Sequence, residues 1–259
     1  MPPGLITVVR GFSFTLLLYI AFHKHIHHIT KAEIRLGLAG GVINYAVVQF
    51  QASGLKYINP SVSAFITSLY VILVPFVVWI VFRRRPQKKI YLAVLICIIG
   101  MGILTNGVSE MHMEFGSLIA FLGAVSVAVQ ITFNAYTATD SDPFNMAFML
   151  GSTLILFSTI YSLIFEHQQY ANVDWSRALI PAIVLGITGS FLGQTIQIVS
   201  QKYVEPNAAG LIMVSESVFA SVISVLIGME PFTLNLLIGG LLVTIAMMLT
   251  QTNIKKNID

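Results

Sequence analysis

Gly54–Pro60 reads GLKYINP, and Ser200–Pro206 reads SQKYVEP. Each carries Lys-Tyr, then a β-branched residue, a polar residue and Pro, and each is followed by an apolar run. The two stretches stand 146 positions apart. One junction written twice at that distance suggests a chain made of two copies of one unit, and the surrounding residues test the idea.

With Tyr57 placed on Tyr203, Gln51 falls on Gln197, Pro60 on Pro206 and Tyr70 on Glu216. After a one-residue slip, Pro86 meets Pro231 and Leu104-Thr105 meets Leu249-Thr250. Earlier in the chain, a shift of 140 sets Pro3 on Pro143 and Arg10-Gly11 on Leu150-Gly151. Matches inside the apolar runs, not only at their junctions, argue for an internal repeat.

The solvent of this repeat is not water. The chain has 259 residues, of which 56% are hydrophobic and 10% charged, with mean hydropathy +0.84. Soluble domains carry about 25% charged residues. A run of about 18 to 24 mostly apolar residues crosses roughly 30 Å of hydrocarbon as a helix. Nine such runs are read, at about 4–22, 36–55, 60–82, 90–107, 115–136, 144–165, 178–201, 206–228 and 234–250. The expected fold is therefore an all-α integral membrane protein with nine transmembrane helices in this chain. Pro60, Pro143, Pro206 and Pro231 sit near helix starts, where a missing N–H costs little. Pro75 falls mid-span and predicts a kink. The single cysteine, Cys97, excludes a disulfide framework.

Charge placement sets orientation. One set of connectors holds Lys24, Lys31, Arg35, Arg83, Arg84, Arg85, Lys88, Lys89, Lys202, Lys255 and Lys256; the other holds Lys56 and Arg177, with Arg10 nearby. The basic side is expected to be cytoplasmic, along with the C-terminus. Lys56–Pro60 then lies outside and Lys202–Pro206 inside, so the copies are inverted. Inverted repeats around a midplane site are an architecture of alternating-access transporters.

At Pro60–Pro86, PSVSAFITSLYVILVPFVVWIVFRRRP resembles the fourth helix of EamA-type members of the drug/metabolite transporter superfamily. At Leu211–Leu249, LIMVSESVFASVISVLIGMEPFTLNLLIGGLLVTIAMML resembles that family's ninth and tenth helices, with Glu230 in the turn. The resemblance covers essentially the whole chain. It implies ten helices as two inverted five-helix repeats, no covalent cofactor, and transport of small metabolites, often outward. The repeats are placed at 1–107 and 115–251. Met1–Gly4 and Arg10 resemble the start of the family's second helix, so the resemblance implies a first helix ahead of Met1, through a misplaced gene start or a truncation. The other reading is a true nine-helix chain, nonfunctional or completed by a partner.

Polar groups inside spans are costly and mark pathways or helix contacts. Glu216 lies about ten residues into its span. It is read as a proton-coupling or amine-binding group, since burial at that depth favours the uncharged acid, or else as a structural hydrogen-bonding group. Gln194, Gln197 and Gln201 share a helix face, as do Gln130 and Asn134, and Asn44 and Gln51. These stripes line a polar path or join helices to one another. Thr67 and Tyr70 lie on the helix that corresponds to that of Glu216. Arg10 is either an interfacial snorkelling residue or a partner for an anionic group. Gly37, Gly40, Gly41, Gly186, Gly189, Gly193, Gly239 and Gly240 allow close helix approach.

HKHIHH at 23–28 matches no zinc template, and TDSD at 139–142 reads as a cap ahead of Pro143. No metal or cofactor site is expected. The expected partners are a small-molecule substrate, the lipid bilayer and protons, with homo-oligomerisation open and no nucleic acid. The leading function is a secondary transporter, an exporter or proton-coupled facilitator of amino acids, related metabolites or drug-like compounds. Two alternatives are carried: a flippase for a lipid-linked sugar, and a membrane-embedded enzyme. Against the enzyme, His-Glu-x-x-His, Gly-x-Ser-x-Gly and a phosphate-binding loop are all missing from the sequence.

Overall fold

The computed structural model describes residues 1–26, 29–58, 60–83, 85–105, 115–138, 141–226, 228 and 232–251. Among these, α1 (Pro3–Phe22) and α2 (Lys31–Gly54) are followed by α3 (Pro60–Ser68) and α4 (Tyr70–Phe82), which form one interrupted rod. Next come α5 (Lys88–Thr105), α6 (Phe115–Thr137) and α7 (Pro143–Phe165). A 3₁₀ turn at His167–Asn172 leads to α8 (Trp175–Leu185), a π-helical segment (Gly186–Gln194) and α9 (Thr195–Ser200), again one rod. The last two are α10 (Pro206–Leu226) and α11 (Leu234–Gln251). These are the nine rods read from the sequence. The turn residues Glu230 and Pro231 lie outside the described residues. Five of the rods, at Pro3–Phe22, Val62–Phe82, Phe115–Thr137, Pro143–Phe165 and Trp175–Ser200, are long and apolar enough among the described residues to cross a membrane.

Local chemistry explains the boundaries. Asp142 caps α7, accepting from the N–H groups of Phe144 (2.8 Å) and Asn145 (3.2 Å), with Pro143 in the first helical position. The cap read from TDSD is thus present at Asp142; Thr139 and Asp140 lie outside the described residues. Asp174 caps α8 through Arg177 N–H at 3.3 Å. Thr30 and Glu33 form a reciprocal capping box at α2: Glu33 N–H donates to Thr30 Oγ1 (3.2 Å) and Thr30 N–H to Glu33 Oε2 (2.8 Å). The interruption between α3 and α4 falls at Leu69, whereas Pro75 stays inside α4. Leu69 N–H turns to Ile66 C=O, and the Ser68 hydroxyl takes Phe65 C=O at 2.6 Å. That tightened turn, rather than the proline, ends the first segment.

The chain divides into two compact units, Met1–Ala52 with Phe133–Tyr203, and Ser53–Thr132 with Val204–Asp259. Each draws helices from both halves of the sequence. In the first, α1 packs chiefly on α7. The start of α1 meets the end of α7, where Gly4 N–H donates to Glu166. The end of α1 meets the start of α7, where the rings of Phe22 and Phe144 lie 4.5 Å apart. The pair is antiparallel, although Pro3 and Pro143 head corresponding runs. Gly11 and Gly151, matched by the repeat, each let the opposite helix come close. A Cβ on Gly11 would lie 3.0 Å from Ile155 Cγ1, and one on Gly151 would collide with Thr15 Oγ1. Phe14, Leu18, Met146, Ala147, Leu150 and Ile198 form the core around them.

The second unit repeats this logic. There α5 packs chiefly on α11. Gly100 approaches Gly239, Leu242 and Val243, while Gly239 approaches Gly100 and Leu104, so this pair is antiparallel too. α4 and α10 meet where Gly210 faces Val74. Large apolar side chains face outward on most rods, among them Ile80, Ile180, Leu226 and Leu234. A bilayer solvates such surfaces; water does not.

Candidate functional site

In the second unit, Pro206 starts α10 and carries Glu216 to its midpoint. Opposite, α4 opens at Tyr70, directly after the Leu69 turn. Tyr70 is 7% exposed. The two positions matched by the repeat thus lie on helices that pack on one another, α4 and α10. Glu216 itself is exposed, Thr67 is half-buried at the end of α3, and Gln130 is buried on α6.

In the first unit, Arg10 lies half-buried, one-third along α1, against the π segment. Its Nε donates to the buried Ser190 Oγ at 3.1 Å. The approach is close because the facing residues are small: a Cβ on Gly186 would stand 2.7 Å from Ser13 Cβ and 3.3 Å from Arg10 Cα. Arg10 is therefore held by a helix neighbour, not only by an interface. π segments inside α-helices concentrate at functional sites, because the extra residue per turn displaces side chains from the regular ladder. Asn44 is buried on α2, and Gln51 is half-buried. Gln194 and Gln197 are half-buried, while Gln201 is buried with neither amide atom partnered. Asn134 presents an unpartnered Nδ2 at a cavity of about 10 Å³ that it shares with Thr137, Ser141, Met146 and Leu150. That is room for one water.

Two buried carboxylates escaped the sequence reading. Glu33, 6% exposed, accepts from Thr30, from Asp142 N–H (3.1 Å) and from Asn145 Nδ2 (3.1 Å), tying the start of α2 to the start of α7. Desolvation is the largest influence on its carboxyl and pushes its pKa up, but the bonds from Thr30, Asn145 and Asp142 together hold it below the usual value of 4.5. Glu166, 3% exposed, accepts from Gly4 N–H (3.1 Å), Leu5 N–H (3.3 Å) and Ser162 Oγ (3.1 Å), tying the end of α7 to the start of α1. Each acid satisfies donors at the opening turn of the other half's helix, where negative charge is favoured. The signal for Glu33 was legible as Thr-x-x-Glu ahead of an apolar run. Glu166 had no such pattern.

The six histidines divide: His27 and His28 of the HKHIHH stretch lie outside the described residues, and His25 packs on Phe144 at 5.3 Å. Among the described residues, no three His, Cys, Asp or Glu side chains are placed to hold a metal.

The EamA-like transporter family matches residues 1–106 and 114–252. The chain belongs to the EamA-like transporter family. As a member it is a multi-pass membrane transporter, and the family points away from an enzyme. An uncharacterized transporter of Archaeoglobus fulgidus is 22% identical over 222 residues, spanning 86% of this chain and 70% of the relative. A solved protein crystal structure shares the fold with TM-score 0.79 at 17% identity, covering 99% of this chain and 89% of that one. The EamA-type resemblance read from Pro60–Pro86 and Leu211–Leu249 is thus borne out, as is the all-helical membrane fold.

Proposed function

We propose that this EamA-like protein is a secondary transporter of small metabolites, amino acids and related compounds foremost, working by alternating access. The observation that carries this is the antiparallel packing of matched helices: α1 on α7 in one unit, α5 on α11 in the other. A two-fold arrangement of this kind provides two equivalent packings of similar energy, which is what exchange between inward and outward states requires. The sequence-matched pair Tyr70 and Glu216 is the proton-coupling site in this reading, and Arg10 with Ser190 orients the anionic end of the substrate. The basic connectors and the C-terminus face the cytoplasm, and the membrane is the cell membrane.

The test is counterflow in proteoliposomes loaded with single amino acids under an imposed pH gradient. Saturable, gradient-dependent flux is expected, with Glu216→Gln retaining exchange but losing its response to the gradient. Flux of labelled lipid with no flux of soluble metabolites would overturn the substrate reading in favour of flipping. A Glu216→Gln protein that responds to pH as the parent does would remove the coupling role.

A further inference from the structure

A second cavity lies wholly within the unit formed by Ser53–Thr132 and Val204–Asp259. Its volume is about 310 Å³, within the range of small-molecule sites. It opens where the end of α4, the start of α5 and the start of α10 meet, and so belongs to the side that the basic connectors mark as cytoplasmic.

Its lining has an uncommon balance. Arg85 contributes one positive charge and Glu205 one negative charge. They do not neutralise each other: the ion pair found among the described residues is Arg177–Asp174. The Arg85 guanidinium lies instead over the Trp79 ring, 5.5 Å from its centre. Asn207 lines the same cavity, only 9% exposed, and its Oδ1 is buried without a partner. A buried acceptor left unpaired calls for a donor. Val78, Phe82 and Ile90 supply an apolar wall.

We infer that this cavity is a binding site for a small zwitterion. The anionic group of the ligand pairs with Arg85, its ammonium donates to Glu205 and to Asn207 Oδ1, and its apolar remainder lies on Val78, Phe82 and Ile90. A simple anion would leave Glu205 and Asn207 Oδ1 facing negative charge, and a simple cation would meet Arg85. Both a free amino acid and the ethanolamine headgroup of a phospholipid carry the required pair of charges. The site is distinct from Tyr70 and Glu216, which do not line the cavity. Its role as a cytoplasmic vestibule rests on the transporter reading; ligand binding at it does not.

Trp79 is a built-in reporter, since the only other tryptophan is Trp175. The experiment uses the full chain carrying Trp175→Phe in phosphatidylcholine nanodiscs, titrated with each proteinogenic amino acid in turn. At least one should shift Trp79 fluorescence saturably, and its deaminated and decarboxylated analogues should not. Direct binding of the same radiolabelled amino acid should weaken about tenfold or more in Arg85→Gln and in Glu205→Gln, each checked for an unchanged melting midpoint. The charge-exchanged double variant, Arg85→Glu with Glu205→Arg, should recover part of the loss. If no amino acid acts but replacing phosphatidylcholine with phosphatidylethanolamine shifts Trp79, and Arg85→Gln abolishes retention of that lipid, the zwitterion site stands with the headgroup as occupant. Absence of both responses, or amino-acid binding indifferent to Arg85→Gln and Glu205→Gln, would overturn the inference while leaving flux in proteoliposomes intact. Loss of flux with binding preserved would overturn the transporter reading alone.

Discussion

Gly239→Ala adds one carbon where α11 lies against the backbone of α5. The new Cβ would stand 2.7 Å from Gly100 C=O oxygen, 2.7 Å from Leu104 N and 2.9 Å from Leu104 Cα. All three are backbone atoms, so no side chain can rotate away. Ordinary contact begins near 3.4 Å, and the two helices must separate by roughly 0.7 Å. A gap of that size forfeits about a quarter to a half of the dispersion energy across the interface. Overpacking costs about 1–3 kcal/mol, and the gain in helix propensity from Gly to Ala offsets about 1 kcal/mol. The net loss is up to about 2 kcal/mol, or up to roughly 8 °C in melting midpoint for a chain of this size, and about 1–3 kcal/mol relative to a Gly→Ala change that meets no clash. Gly100→Ala should cost less, because its nearest neighbours stand at 2.9–3.0 Å and include the Leu242 side chain. Gly193→Ala is the control: its nearest atom is Thr188 C=O oxygen at 3.5 Å, so its midpoint should hold or rise. The assay is thermal unfolding in one detergent for all three variants. A Gly239→Ala protein as stable as Gly193→Ala would refute close α5–α11 packing.

Three further outcomes follow from the buried acids and the π segment. Glu166→Gln should lower stability by about 1–2 kcal/mol, because the charge-assisted bonds from Gly4, Leu5 and Ser162 become neutral ones; thermal unfolding at neutral pH checks it. Glu33, whose pKa is held below 4.5 in the folded state, stabilises the protein above that value, and the contribution disappears as pH falls through the lower folded value. The stability difference between the parent and Glu33→Gln should therefore be constant near neutrality and shrink only in acid; a difference that grows in acid would refute the assignment. Ser190→Ala should lower substrate affinity more than stability, since it releases Arg10 while costing about 1 kcal/mol of hydrogen bonding; flux kinetics and unfolding together measure the split.

The rods were legible because an apolar run of membrane length leaves the backbone little choice but to form a helix. Their boundaries were legible where Pro or Asp marks a first turn, as at Pro143 and Asp142. The Leu69 interruption was not, since Ser68 and Leu69 differ in no obvious way from residues elsewhere in the run. The π segment was equally hidden: Gly186, Gly189 and Gly193 announced close approach, but their spacing fits an α-helix just as well. Repeat matching set Tyr70 on Glu216, and the helices that carry them, α4 and α10, pack together. The membership of the two compact units was beyond it. Helices 140 residues apart in sequence pack together, and only the three-dimensional packing records that.

The places where the two halves differ carry the sharpest functional expectation. Gly40 of α2 approaches Leu150 of α7, with the missing Cβ 3.2 Å from Leu150 Cδ1. Gly186 of the π segment, its match, approaches Arg10 of α1 at the backbone, 3.3 Å from its Cα. One crossing is filled by leucine and its counterpart by arginine. Asn44 likewise corresponds to Ser190, the residue that holds Arg10, under the 146-residue shift. At Gly186 the close contact with Arg10 is at its Cα, not the guanidinium, and leucine is the residue at the matched position, Leu150. Arg10→Leu should fold, with stability changed by no more than about 1 kcal/mol, since the Ser190 hydroxyl can turn to a carbonyl one turn back, as Thr188 does at 2.9 Å to Val184. Its transport of an anionic or zwitterionic substrate should fall by about tenfold or more, because the leucine cannot make the charge-assisted hydrogen bond that the guanidinium offers an anion. Unfolding of Arg10→Leu would show that the arginine is structural and that the two crossings are not equivalent. Undiminished flux would remove Arg10 from the pathway. A folded, inactive Arg10→Leu protein would locate substrate recognition at the point where the repeat departs from its own symmetry.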